Sequence, residues 1–159
     1  MDAYNPQAIV DSYTAGEEIS RVDRSSDAAI MFHIERWFIE RDGKENGQIS
    51  ADQKAALNAL DDFFNLDLKG IIIRIDNTVS AMGTTARLTA EMGLLNIEMA
   101  FARFKGLYQF LDRECARKLF VGRFEFINKE SDMGLAGLKQ AKRSCHPVSR
   151  VKCFKLSIG

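Results

Sequence analysis

Leu94-Leu95-Asn96-Ile97-Glu98-Met99-Ala100-Phe101-Ala102-Arg103-Phe104-Lys105-Gly106-Leu107-Tyr108 is the stretch on which the fold turns. It opens as an apolar strand over 94–102, broken once by Glu98, and continues through a basic, glycine-containing loop. Leu107, Leu111, Cys115 and Leu119 then recur at four-residue spacing, one face of a helix, with Tyr108 alongside. A strand delivered into a helix by so short a loop is the first half of a strand–helix–strand crossover.

Upstream, the period is two. Ile71-Ile72-Ile73-Arg74-Ile75 is short and β-branched, Asp76-Asn77 suits a two-residue hairpin turn, and 78–88 continues as the returning strand. Before that hairpin the pattern is helical. Ser50-Ala51-Asp52-Gln53 fits a capping box opening a helix whose stripe is Ala56, Leu57, Leu60, Phe63 and Phe64. The first forty residues also read as helical, from Ile9, Val10 and Tyr13 to Ile30, Ile34, Trp37 and Phe38, with Ser25-Ser26-Asp27 as caps and 41–47 as a loop. Downstream, strands are expected over 123–128 and 151–157, with a short helix over 135–143 between them. The expected architecture is therefore α/β (α+β). N-terminal helices and a β-hairpin precede strand, helix, strand, helix and strand in one mixed sheet. We read 1–159 as one domain, mainly helical over 1–65 and sheet-containing over 66–159.

Composition excludes several classes. The 159 residues are 46% hydrophobic and 28% charged, ordinary for a globular chain, so wholesale disorder is excluded. No apolar run reaches the ~20 residues that cross a bilayer, and the N-terminus lacks the basic and apolar regions of a secretory signal. The three cysteines, Cys115, Cys145 and Cys153, show no CxxC spacing, which predicts reduced thiols in a cytoplasmic protein and no metal site. The zero formal charge hides an asymmetry: residues 1–102 carry 17 acids against 9 bases, and residues 103–159 carry 5 against 13. A basic half points to an anionic partner or to a solvated basic surface.

Three places could carry chemistry. The 103–106 loop sets Arg103 and Lys105 at a helix N-terminus, where unpaired amides and the helix dipole favour anions; many such turns hold a glycine such as Gly106 for geometry alone. Asn128, Glu130 and Asp132 follow a strand end, the usual crevice position in open sheets, although Asp and Ser there also cap helices. Lys139, Lys142 and Arg143 cluster near a helix C-terminus, which favours cations anyway. Glu98, a carboxylate within an apolar strand, either pairs with Arg74 or Arg87 across the sheet or works in a cleft. Cys145 and His146, adjacent in an extended segment, point to opposite faces and do not make a dyad, and His33 lacks metal-ligand spacing.

Five blocks together resemble a known family. They are Ile97-Glu98-Met99-Ala100, Gly106-Leu107-Tyr108-Gln109, Ile127-Asn128-Lys129-Glu130-Ser131-Asp132-Met133-Gly134, Gly137-Leu138-Lys139-Gln140-Ala141-Lys142-Arg143-Ser144 and His146-Pro147-Val148. In order and spacing they are similar to the phosphatidylglycerol lysyltransferase C-terminal domain family over 66–156. The chain has Met99, Lys129 and Cys145 where that family tends to have Lys, Arg and Tyr. The resemblance implies a fold like the GNAT superfamily of N-acyltransferases, usually two halves in tandem, of which this chain holds one. It implies transfer of an activated acyl or aminoacyl group to an amine or hydroxyl, or else a non-catalytic half serving binding or dimerisation. Glu98, Asn128 and Asp132 would line the crevice, while Arg103, Lys105, Gly106 and Lys142 would contact the donor. No tightly bound cofactor is implied; the co-substrate would be an acyl-CoA or an aminoacyl-tRNA. The acceptor would be a small molecule or a lipid, with tRNA, a second copy or a preceding GNAT-like half as partner, and no DNA.

Overall fold

The computed structural model describes residues 17–19, 27–43, 50–131, 133–152, 154, 156 and 157. In chain order the elements are β1 (Glu17–Ile19), α1 (Asp27–Asp42), α2 (Ala51–Asp61), β2 (Lys69–Ile75), β3 (Thr78–Arg87) and β4 (Met92–Ala100). There follow α3 (Leu107–Cys115), prolonged by a π turn over Ala116–Phe120, then β5 (Phe126–Asn128) and α4 (Ala136–Ser144). Among the described residues the sheet runs β1-β2-β3-β4-β5. Its first three pairings are antiparallel and the pairing of β4 with β5 is parallel, so the expected mixed sheet is present.

Two compact units divide the chain, Met1–Asn128 and Lys129–Gly159. In the first, Ile71-Ile72-Ile73 shows how the sheet is covered. Ile71 and Ile73 pack with Leu107, Leu111, Cys115, Leu119 and Phe120 on one face, and Ile72 packs with Ile30, Ile34, Phe38 and Ala56 on the other. A β-branched run buried on both faces needs helices on both, supplied here by α3 and by α1 with α2. Each of the buried Ile, Leu and Phe side chains among them contributes ~1.5–3 kcal/mol by leaving water.

Local chemistry holds as the sequence predicts at several points. Ser50 Oγ accepts from the Gln53 N–H at 3.2 Å, capping α2. Asp76 and Asn77 take φ of 49° and 62°, the left-handed pair that a two-residue hairpin requires. Gly83 lies directly beneath α3: a Cβ there would run into Cys115 Sγ and meet Leu111 Cδ1 at 3.4 Å. Close approach of helix and strand is the reason for that glycine.

Two irregularities shape the sheet. The β2–β3 register shifts between Ile73 and Arg74, and the β3–β4 register shifts between Thr84 and Thr85, which leaves Asn96 as an extra residue in β4. Thr84 Oγ1 donates to Asn96 Oδ1 at 3.0 Å and pins that bulge. Strict alternation would put Leu95, Ile97 and Met99 on one face. With the bulge, Leu95 and Ala100 pack on the α3 side while Ile97 and Met99 pack on the α1 side.

Some expectations are corrected. Within the first forty residues, Glu17–Ile19 is a strand, with Glu17 opposite Ile72 and Ile19 opposite Gly70, where a helix was expected. Three residues cannot display a period, and the exposed edge of β2 provides the pairing. The expectations for 1–16, Ser25, Ser26 and 44–47 lie outside the described residues. In the second unit, none of the described residues of 151–157 is in a strand. Val151, Phe154 and Leu156 are 78%, 82% and 93% exposed. An alternating segment becomes a strand only where an edge takes up its backbone groups. α4 has no buried residue; the Lys142 ammonium donates to the Lys129 and Ser131 carbonyls and holds the 129–131 segment.

Candidate functional site

The parallel ladder between β4 and β5 is short. Met92, Gly93 and Leu94 pair with Phe126, Ile127 and Asn128, and there it ends, while β4 runs on to Ala100. Beneath the paired stretch, a Cβ on Gly93 would meet Phe120 Cε1 at 2.5 Å, so the end of the α3 segment lies hard against the start of β4. β5 itself ends at Asn128, so β4 from Leu95 to Ala100 has no strand paired on that side among the described residues.

Backbone directions follow from the bonds at each end of β4. The Glu91 carbonyl accepts from the Glu125 and Phe126 N–H groups on the β5 side, and the Phe101 N–H donates to the Ser80 carbonyl on the β3 side. Because residues of a strand alternate in direction, the N–H and C=O groups of Ala100 and Glu98 point away from β3, to the side on which β5 has ended. The register sets Gly83, not an arginine, opposite Glu98; Arg74 stands opposite Val79 and Arg87 opposite Gly93. Ile97 and Met99 face the α1 side, so the half-buried Glu98 side chain lies on the α3 side. Its charge acts on the Tyr108 phenol in the first turn of α3.

The turn from β4 into α3 is tied at nearly every position. Gly106 takes φ 81° at the helix start, a conformation suited to glycine. The Phe104 N–H bonds the Phe101 carbonyl and the Leu107 N–H bonds the Phe104 carbonyl, each at 3.1 Å. The Ala102 N–H donates to Glu40 Oε1 at 3.1 Å, and Arg103 Nη1 donates to Glu40 Oε2 at 2.7 Å. The Arg103 guanidinium also lies over the Phe101 ring, 4.0 Å from its centre. Lys105 is exposed on the same turn.

α1 supplies a second set of contacts. His33, Trp37 and Glu40 fall on one helical face by their four- and three-residue spacing. His33 Nε2 lies 3.3 Å from the Met99 carbonyl, Trp37 Nε1 donates to the Ala100 carbonyl at 3.1 Å, and Glu40 takes the Ala102 N–H. One stripe of α1 thus follows the backbone of β4 through its exit. Trp37 Nε1 also donates to the Tyr108 hydroxyl at 3.1 Å, linking α1 to α3 across the end of the strand. Burial, and then the Glu98 and Glu40 charges, raise the Tyr108 pKa above its ordinary value, against the Ala100 backbone and Trp37 bonds. Burial lowers His33 to about 4, so it is neutral at pH 7. Its ring packs edge-on to Phe101 at 4.7 Å, and Nδ1 is buried without a hydrogen-bond partner.

The predicted residues therefore occupy three places. Arg103, Lys105 and Gly106 share the turn, with Glu98 on the strand feeding it. Asn128 is the last residue of β5: it pairs with Leu94, and its Nδ2 approaches Met92 Sδ at 3.8 Å. Four positions of β4 separate Leu94 from Glu98, ~13 Å along a strand. Lys142 belongs to the second unit, where it holds carbonyls of its own unit, and Asp132 lies outside the described residues. Among the described residues no cluster of His, Cys, Asp or Glu could hold a metal ion. His33, Trp37, Glu40 and Tyr108 were not singled out by sequence as site residues. Polar and aromatic side chains at 33, 37 and 40, interleaved with the Ile30, Ile34 and Phe38 core stripe, were the available signal.

A mixed sheet whose last pair is parallel, with a helix entered from the longer strand of that pair, is the arrangement of the GNAT fold, and solved acetyltransferases share it. One is an aminoglycoside acetyltransferase from an uncultured soil metagenomic sample, in complex with sisomicin. It aligns at TM-score 0.65 and 13% identity, over 94% of this chain and 98% of that one. The aminoglycoside N-acetyltransferase AAC(6')-Iy in complex with CoA aligns at TM-score 0.55 and 11% identity, over 90% and 94%. The chain belongs to the phosphatidylglycerol lysyltransferase C-terminal family, whose model matches residues 16–156. A conserved protein of unknown function from Bacteroides thetaiotaomicron VPI-5482 aligns at TM-score 0.77 and 22% identity. That match covers 90% of this chain and 48% of the other, so the chain spans about half of that protein's length. No curated protein matches. No helix among the described residues is long and apolar enough to cross a membrane.

Proposed function

We propose that this chain transfers an acyl or aminoacyl group from an activated donor to an amine or hydroxyl along β4 beyond its last pair with β5. The observation that carries this reading is the end of the parallel ladder at Leu94, with Glu98 on the strand that continues past it. The acceptor nitrogen or oxygen attacks the donor carbonyl carbon, the new C–N or C–O bond forms, and the bond to the leaving thiol or hydroxyl breaks. Glu98 takes the acceptor's proton, directly or through water, and passes it on to the leaving thiolate or alkoxide, which departs as the thiol or hydroxyl. Positioning supplies most of the rate. β4 backbone N–H groups directed away from β3 stabilise the carbonyl oxygen as it gains charge, and Asn128 orients the acceptor or the acyl group.

Donor phosphates, of an acyl-CoA or an aminoacyl-tRNA, are assigned to the turn carrying Arg103, Lys105 and Gly106. Two features support this: the turn begins a helix, and basic residues dominate the chain from Arg103 on. The acceptor is a small molecule or a lipid. The half-length match to the Bacteroides protein favours a second reading, in which this unit serves a larger assembly or a dimer and does no chemistry itself. Radiolabelled acyl-CoA and aminoacyl-tRNA, offered with small amines and phosphatidylglycerol vesicles, separate the two. The catalytic reading expects turnover that Glu98→Gln lowers ~10²-fold or more with the fold intact. Unchanged turnover in that variant removes Glu98 from the chemistry, and no turnover with any pair favours the assembly reading.

A further inference from the structure

The turn assigned to donor phosphates already holds an anion, and the anion belongs to the chain. Glu40, from the last turn of α1, places one carboxylate oxygen on the Ala102 N–H at 3.1 Å and the other on Arg103 Nη1 at 2.7 Å. That is a main-chain amide together with a guanidinium, the pair of donors a phosphate oxygen would seek at this place. Other donors of the turn are committed as well. The Phe104 and Leu107 N–H groups close turns within the loop, and the Trp37 indole N–H is shared between the Ala100 carbonyl and Tyr108. The Arg103 guanidinium also rests on the Phe101 and Phe104 rings, 4.0 and 5.0 Å from their centres. The placement of Glu40 is equally determined, because His33 and Trp37 of the same helical face are bonded to Met99 and Ala100.

We propose that Glu40 is a specificity-determining residue: its carboxylate fills the anion seat at the β4–α3 turn, and a phosphate-bearing donor binds there only by displacing it. The proposal rests on the donor placement given above and adds to it a built-in competitor. A donor with one compact diphosphate then competes against the Glu40–Arg103 pair for its own seat. A donor that also contacts distant surface can offset that competition.

Inorganic pyrophosphate and CoA are titrated into the full chain by calorimetry and by amide NMR, using wild type, Glu40→Gln, Glu40→Ala and the double variant Glu40→Gln/Arg103→Ala. Glu40→Gln removes the charge and keeps the shape. Glu40→Ala covers the case in which the glutamine amide stays on the Ala102 N–H, and thermal melts verify that each variant folds. Pyrophosphate is expected to bind at least one Glu40 variant ~10-fold or more tightly than wild type, ~1.4 kcal/mol. The Ala102 and Arg103 amides should shift, and the gain should vanish in the double variant. Equal affinity of wild type and both Glu40 variants, with those same amides shifting, overturns the role of Glu40 and leaves the donor placement standing. Binding that moves other amides, or no binding by any variant, overturns the donor placement and the role of Glu40 with it.

Discussion

Gly83→Ala tests the contact that sets α3 over the sheet and, with it, the turn beside Glu98. Gly83 stands opposite Glu98 in the β3–β4 ladder, and a Cβ at this position would run into Cys115 Sγ. Leu111 Cδ1, at 3.4 Å from the same point, and the Ile97 carbonyl, at 3.7 Å, leave little room on the other sides. Cys115 is fully buried, so its sulfur cannot swing into solvent, and the helix must shift or the sheet must bend. Overpacking of this kind costs ~1–3 kcal/mol. With a urea m-value of ~2 kcal/mol/M, a loss of ~2 kcal/mol lowers the midpoint by ~1 M. Cys115→Ala alone leaves a small cavity, a loss of ~1 kcal/mol. Together the two changes should recover most of the loss, since the new methyl occupies the space of the deleted sulfur. Urea denaturation of the four proteins measures the coupling, expected at ~1–2 kcal/mol in the rescuing direction. Strict additivity would refute the packing argument, because the collision would then not be what Gly83 avoids.

Two further outcomes follow from the α1 stripe. His33 is held at about 4 in the folded protein by burial and returns to about 6.5 when unfolded, so the unfolded chain takes up its proton first. The stability that the neutral ring contributes is present above pH ~6.5 and lost as the pH falls toward ~4, by up to ~3 kcal/mol. Denaturation midpoints across that window should fall more steeply in wild type than in His33→Gln, and parallel slopes would remove His33 as the cause. Trp37→Phe takes the indole donor from the Ala100 carbonyl and the Tyr108 hydroxyl, at a cost of ~1–2 kcal/mol. Because that donor favours the phenolate, its loss should raise the Tyr108 pKa further, and ultraviolet titration against Tyr108→Phe reads the shift.

Much of this molecule is legible in short windows. The Ser50 cap, the Asp76-Asn77 turn and the Leu107, Leu111, Cys115, Leu119 face are each decided by residues within a turn or two of one another. The order of strands and helices from β2 onward follows from the same periods. The segment 151–157 shows the limit of such reading. Its alternation is that of a strand, yet its described apolar side chains stand in solvent and none of its described residues pairs. Glu98 shows it again: the β3 register, offset by the one-residue bulge at Asn96, sets Gly83 opposite it, and no short window contains that register.

From α1 through α4, residue order alone determined which segments are strands and which are helices, because those choices depend on backbone geometry and on neighbours a few positions away. Only the tertiary structure decided how far β5 accompanies β4, and that Glu40 meets Ala102 and Arg103 more than sixty residues along the chain. Such contacts form when the whole sheet and both helical layers are assembled. Their geometry depends on packing against every layer at once, and no local period encodes it.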